Sequence, residues 1–224
     1  MSARAGLSRR SFLASCLGGA GLLVAGAAGS RGEAKGHAMK FDVDRFVGDV
    51  KRARLEAESQ AAVQEVLARA VSDPGAVIQG IGAPTEAGIH TVFHGPDLTI
   101  LNVVWAPLMV LLPHEHGMWA SIGIYTGRED NIIWRRSGAA IEAAGAASLS
   151  EREVFPLPVD AIHSVTNPIE RLTGAIHVYG GDFFGKPRSE WDAETLRERP
   201  FDLENARRTF REANERFRTS GRRD

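Results

Sequence analysis

The chain has 224 residues, 27 of them basic and 28 acidic, and 43% are hydrophobic. A net charge of −1 leaves no basic field for nucleic acid. A single cysteine, Cys16, excludes a disulfide framework.

Taken in chain order, the first segment reads as an address. Ser8-Arg9-Arg10-Ser11-Phe12-Leu13 matches a twin-arginine export signal, and a Gly/Ala-rich apolar run follows from about Phe12 to Ala28. Small residues at Ala25-Gly26-Ala27 suit cleavage near Ala27, and the run is too short and glycine-rich for a membrane span. The expectation is a signal peptide over 1–27, the twin-arginine export machinery as a partner, and a periplasmic mature chain without a stable membrane span. That chain lacks Cys16 and any thiol. Residues 28–40 are small and polar, a linker.

Residues 41–75 predict a helical segment packed on whatever follows. Phe41, Val43, Phe46, Val47 and Val50 give one apolar face, Ala61, Ala62, Val66, Leu67 and Ala70 another, before a stop at Asp73-Pro74-Gly75. From about Val77 to Tyr179, short strand-like runs alternate with Gly, Pro and Asn/Asp clusters, which predicts an antiparallel barrel over 76–192. Gly127-Arg128-Glu129-Asp130-Asn131 reads as a turn, and residues 138–147 as a hairpin or loop. Residues 193–224 predict a helical tail, with Leu196, Phe201, Leu203, Phe210 and Phe217 spaced for weak docking. Arg207-Arg208 and Arg222-Arg223 read as solvated charge.

His114-Glu115-His116, followed by His163, carries the chemistry. Imidazoles at i and i+2 on a strand share one face, and a third from a distant strand can close one face of a metal. His37, His90 and His94 have no partner at ligand spacing and read as surface or loop residues. Trp105, Trp119 and Trp134 are candidates for the barrel mouth, with Trp119 the first choice for a pocket wall.

The segment 85–192 resembles the cupin superfamily, a double-stranded β-helix or jelly-roll barrel. His114, His116 and Gly127 match its first motif, with Ala120 where an acidic ligand would stand. Pro158, His163 and Asn167 match its second, with Asp160 in place of a glycine. Three histidines without a carboxylate resemble the cysteine dioxygenase-like, or thiol dioxygenase, branch. Gly174-Ala175-Ile176-His177-Val178-Tyr179-Gly180 resembles that branch's Ser-His-Tyr relay, with Ala175 replacing the serine. The resemblance implies His114, His116 and His163 as ligands to Fe(II), with Mn, Ni or Zn compatible with imidazole. It implies Tyr179, oriented by His177, as donor to bound oxygen or substrate, and a small thiol and O₂ as reactants.

Two departures bear on the substrate. Ser121 stands where some members carry a cysteine cross-linked to the tyrosine. Gly88-Ile89-His90-Thr91 holds neither the Arg nor the Gln that grips a substrate carboxylate in that branch. Another reaction on a metal cupin (isomerase, lyase or other oxygenase) and a non-catalytic sensing cupin remain open alternatives. Composition says nothing of oligomeric state.

The export reading predicts a mature N-terminus near Ala28, which N-terminal sequencing of the product in a twin-arginine-competent host would detect. A full-length cytoplasmic product would count against it.

Overall fold

The computed structural model describes residues 41–220. The twin-arginine segment, Cys16, His37 and the linker at 28–40 lie outside the described residues, as do Arg222 and Arg223.

Three helices lead into the barrel. Helix α1 (Val43–Ala53) starts where the Asp42 side chain accepts from Arg45 N (2.9 Å), and it buries Phe46, Val50 and Ala53 at i, i+4 and i+7. Helix α2 (Ser59–Val71) buries Val63, Val66, Leu67 and Val71. The Asp73-Pro74 stop proves to be a start as well: α3 spans Pro74–Ile81, Asp73 accepts from Ala76 N (3.0 Å), and the proline occupies the first turn. No strand therefore begins at Val77. Among the described residues, the first lies at Gly88. Among the described residues, no helix is long and apolar enough to cross a membrane.

The strands are β1 (Gly88–His94), β2 (Thr99–Trp105), β3 (Val110–Glu115), β4 (Ala120–Thr126), β5 (Arg128–Ser137), β6 (Ala140–Ser150), β7 (Val154–Leu157), β8 (Ile162–Thr166), β9 (Thr173–Tyr179), β10 (Ser189–Trp191) and β11 (Glu198–Pro200). They form two antiparallel sheets, ordered β1-β2-β9-β4-β7 and β11-β10-β3-β8-β5-β6. From β2 to β5, and again from β7 to β9, the chain changes sheet at every strand. That alternation makes the jelly-roll, double-stranded β-helix expected from the sequence. The region read as a hairpin or loop at 138–147 is the β5–β6 hairpin, turning at Gly138 with φ 61°.

Strand alternation sorts the first sheet into two faces. Leu101, Val103, Trp105, Ala120, Ile122, Ile124, Ala175 and Tyr179 fill the barrel interior. Ile100, Tyr125, Ile176 and Val178 face α1 and α2. Gln60 on α2 fixes the layer by donating to the carbonyls of Ala120 (2.9 Å) and Leu157 (3.0 Å).

Two polar stretches behave differently from their reading. Gly127 alone turns the corner between sheets, at φ 85°, and a Cβ there would collide with Thr173. Arg128 to Asn131 is already strand, with Glu129 and Asn131 buried and Arg128 exposed. The tail does not dock weakly. Helix α4 (Leu203–Ser220) buries Ala206, Phe210 and Ala213 in the barrel core, and Phe210 stacks on Trp105 with centroids 5.2 Å apart. Asn214 adds a two-point clamp, accepting from Ala87 N (2.7 Å) and donating to Ala87 O (2.9 Å). Leu196, grouped with the helix in the sequence reading, lies instead between β10 and β11.

Phe210→Ala removes the ring that stacks on Trp105 and leaves a cavity. It should destabilise the fold by about 3–5 kcal/mol in urea unfolding; a loss below about 1 kcal/mol would mean that α4 is not integral to the core.

Candidate metal centre

The centre is built on the β3–β8 ladder. His114 and His163 are direct partners across it, and His116 is the first residue beyond β3. Their rings lie 4.6–5.1 Å apart, and one nitrogen from each falls within 4.8 Å of the others. Exposures of 7%, 2% and 1% place all three out of water. The intervening Glu115 points to the other face and pairs with Arg136 at 3.1 Å, so it is not a ligand.

Hydrogen bonds fix which nitrogen is free in His114 and His163, while His116 Nδ1 is buried with no partner among the described residues. His114 Nδ1 sits 2.9 Å from the Leu112 carbonyl, which can only accept, so Nδ1 carries the hydrogen and Nε2 the lone pair. His163 Nδ1 is held the same way by Asn131 Oδ1 at 2.7 Å. Burial lowers the His114 pKa from 6.5 to about 4, partly offset by the Leu112 bond and reinforced by Arg188 and His177. Burial, then the neighbouring imidazoles, pushes His116 and His163 well below the ordinary range. Three neutral imidazoles therefore converge.

A metal fits this donor set. His116 Nε2 and His163 Nε2 face each other at 3.3 Å, within a buried site. Metal–nitrogen bonds of about 2.1 Å at angles between octahedral and tetrahedral put ligand nitrogens roughly 3.0–3.4 Å apart. Ala120 is opposite Tyr179 in the β4–β9 register and offers only a methyl group. The site has three nitrogen donors and no carboxylate.

His177 and Tyr179 sit at i and i+2 on β9 and turn to the same cavity. His177 Nδ1 is 3.1 Å from the Tyr179 hydroxyl, and the Tyr179 ring lies 5.0 Å from that of His116. Burial raises the Tyr179 pKa. All five site residues singled out from the sequence are thus brought together.

The sequence reading missed a polar layer behind them. Glu129, fully buried, accepts from Trp105 Nε1 (2.8 Å) and Asn131 Nδ2 (3.1 Å), and its Oε2 lies 3.5 Å from His177 Nε2. The available signal was the alternation of Glu129 and Asn131 through a run read as a turn. Asn167, matched by motif, pins a loop and binds nothing in the cavity: its Nδ2 donates to the carbonyls of Ala106 (2.9 Å) and Arg171 (2.8 Å).

Other readings change. Trp119 packs on the helix-covered face against Gly180, where a Cβ would overlap its indole; Trp105 is the tryptophan that lines the cavity. Trp134 belongs to a small cluster with Trp191 and donates to Ser164 Oγ (3.0 Å). Ser121 alternates with Ala120 and so faces away from Tyr179. His90 and His94 are exposed on β1, and His94 pairs with Asp182 at 2.8 Å. From β1 it is Ile89 that reaches the cavity.

That cavity is small and apolar, with ≈ 30 Å³ of space for the centres of water-sized molecules. Such a volume holds roughly two waters. Phe183, Phe201 and Phe210 close it, and none of its lining residues is Asp, Glu, Lys or Arg.

No known family profile matches the chain. Among solved structures it is similar to an RmlC-like cupin family protein with a double-stranded β-helix fold from Methanocaldococcus jannaschii. The identity is 12% over 46% of this chain and 85% of that one, with a TM-score of 0.38. An uncharacterised conserved protein with a double-stranded β-helix domain from Klebsiella pneumoniae gives 12% identity over 45% and 78%, TM-score 0.37. An oxalate oxidase in complex with the substrate analogue glycolate gives 16% over 44% and 53%, TM-score 0.34. The fold assignment rests on the strand order itself.

The depressed imidazoles predict a pH-dependent apo-protein. Unfolded histidines take up protons near pH 6.5, whereas His114 resists until about pH 4, and burial holds the other two well below the ordinary range. The unfolded state therefore binds more protons, and stability present above pH 6.5 is lost as pH falls; His114 alone accounts for on the order of 3 kcal/mol by pH 4. Melting temperatures of the metal-free protein between pH 7 and pH 5 would show the decline. A flat profile would mean that these imidazoles titrate normally in the fold.

Proposed function

We propose that the protein is a mononuclear non-haem iron dioxygenase that converts a small thiol to its sulfinate. The observation that carries this reading is the Tyr179 hydroxyl, 3.1 Å from His177 Nδ1, on the wall of the cavity that the three histidines enter. Iron(II) held by His114, His116 and His163 would supply adjacent open positions for a thiolate and O₂. The reaction balances without a further reductant: RSH + O₂ gives RSO₂⁻ + H⁺. The S–H and O–O bonds break, two S–O bonds form, sulfur loses four electrons and O₂ gains them.

The chain's own residues bind, orient and exclude water. The three phenylalanines keep the reacting groups dry, which strengthens every polar contact within. Tyr179, locked by His177, bears on a proton at its hydroxyl oxygen. The cavity lining is apolar apart from its histidines and Tyr179, and the Arg188 guanidinium lies behind it, over the rings of Phe183 (4.4 Å) and Phe201 (4.0 Å). The small volume supports a thiol of few heavy atoms. The sequence signal supports a companion proposal, that the reaction takes place in the periplasm after twin-arginine export.

The test is O₂ uptake by the anaerobically iron-loaded protein, with sulfinate quantified, against cysteamine, 3-mercaptopropionate, cysteine and coenzyme-like thiols. We expect one O₂ per sulfinate, abolished in His114→Ala and slowed on the order of 10²-fold in Tyr179→Phe if the phenol moves a proton. Full metal occupancy without thiol-dependent uptake would overturn the reading in favour of another reaction or a sensor.

A further inference from the structure

Two losses mark this site. Ala120 gives the metal no carboxylate, and Ala175 gives His177 no hydroxyl. Glu129 enters the same region from β5, in the other sheet; one of its oxygens bonds Asn131, which holds His163, and the other lies beside His177.

The first oxygen acts through Asn131. Oε1 accepts from Asn131 Nδ2 at 3.1 Å, and a carboxylate oxygen with no hydrogen cannot pair with an amide oxygen. Only one orientation of the Asn131 amide therefore works, with Oδ1 toward His163 Nδ1 at 2.7 Å. His163 Nδ1 must then carry the hydrogen, and its Nε2 keeps the lone pair that faces His116. The carboxylate sets the tautomer of a ligand it never touches.

The second oxygen acts on His177. Oε2 accepts from Trp105 Nε1 at 2.8 Å and lies 3.5 Å from His177 Nε2, a buried nitrogen with no hydrogen-bond partner of its own among the described residues. An anion beside that nitrogen favours N–H there, which leaves Nδ1 as an acceptor. The Tyr179 hydroxyl then donates to Nδ1 across 3.1 Å and presents its oxygen lone pairs to the cavity.

We propose that Glu129 is the positioning residue of this centre. One buried carboxylate fixes His163 as an Nε2 ligand through Asn131, and fixes Tyr179 through His177 as a hydrogen-bond acceptor toward the cavity. It does from β5 what a serine at position 175 would do from β9. The part given to Tyr179 rests on the thiol dioxygenase reading. The tautomers do not. Under that reading, a substrate group that carries a hydrogen meets an acceptor at Tyr179, reversing the donor role implied by the resemblance.

The test is the histidine side-chain ¹⁵N–¹H spectrum of the zinc-loaded, ¹⁵N-labelled protein, with zinc affinity measured in parallel. We expect His163 protonated at Nδ1 and metal-bound at Nε2, and His177 protonated at Nε2. Glu129→Gln should move the His177 proton toward Nδ1 and weaken zinc binding by about 10–100-fold, the usual scale for losing a group that orients a ligand. Asn131→Ala should weaken zinc while leaving His177 unchanged. A wild-type His177 protonated at Nδ1 would overturn the proposal. So would a folded Glu129→Gln protein with both tautomers and the zinc affinity of the wild type. If that variant does not fold, the wild-type spectrum decides alone. Neither thiol nor O₂ enters these measurements, so a protein inert toward thiols that shows these tautomers would sink the dioxygenase reading and leave Glu129 in its role.

Discussion

Glu129 is a fully buried carboxylate, and an indole N–H, an amide N–H and an imidazole nitrogen stand beside it. A charge in such a place is tolerated only when donors surround it. The end of the barrel is arranged around that requirement. Trp105 supplies one donor from β2 and Asn131 another from β5, and His177 stands at the edge of reach on β9. Trp105 and His177 then line the cavity, while Asn131 commits its Oδ1 to His163 Nδ1.

The double-stranded β-helix suits such an arrangement. Its two sheets face each other, so a side chain on β5 and one on β9 meet although 48 positions separate Glu129 from His177. Register then does the fine placement. His114 opposes His163 on one ladder, Ile133 opposes His163 on the next, and Tyr179 opposes Ala120 on the first sheet. A one-residue slip in any of these would turn a ligand or the phenol out of the barrel. The helix-covered side of the first sheet and the docked α4 hold that register from both sides.

Much of this was legible beforehand. The paired histidines follow period-two alternation, and the distant third follows imidazole chemistry; the His177–Tyr179 pair was picked out by its resemblance to a Ser-His-Tyr relay. An antiparallel barrel followed from short apolar runs between turn residues, and its jelly-roll form from the resemblance to cupins. What stayed hidden was polar or small. Glu129-Asp130-Asn131 has the composition of a turn, yet it continues a strand because the corner is made by Gly127 alone. The inward face of α4 is carried by Ala206, Ala213 and Asn214 around one phenylalanine, too weak a stripe to predict a core helix. Trp119 and Trp105 are indistinguishable by type. Only their faces on the sheet assign one to the helix layer and the other to the cavity.

The sequence by itself determined three candidate imidazole donors, and the strand periodicity that brings His114 and His116 to one face. Those are local properties, set by residue type and by alternation along a strand. The tertiary structure decided the protonation pattern and the character of the pocket. Which nitrogen of His163 is free depends on an amide from β5, and that amide's orientation depends on a carboxylate two residues away whose partners come from β2 and β9. The apolar wall likewise needs Ile89 from β1 and Phe210 from α4 in one place. Desolvation acts on what surrounds a group in space, and strands distant in the chain supply those surroundings.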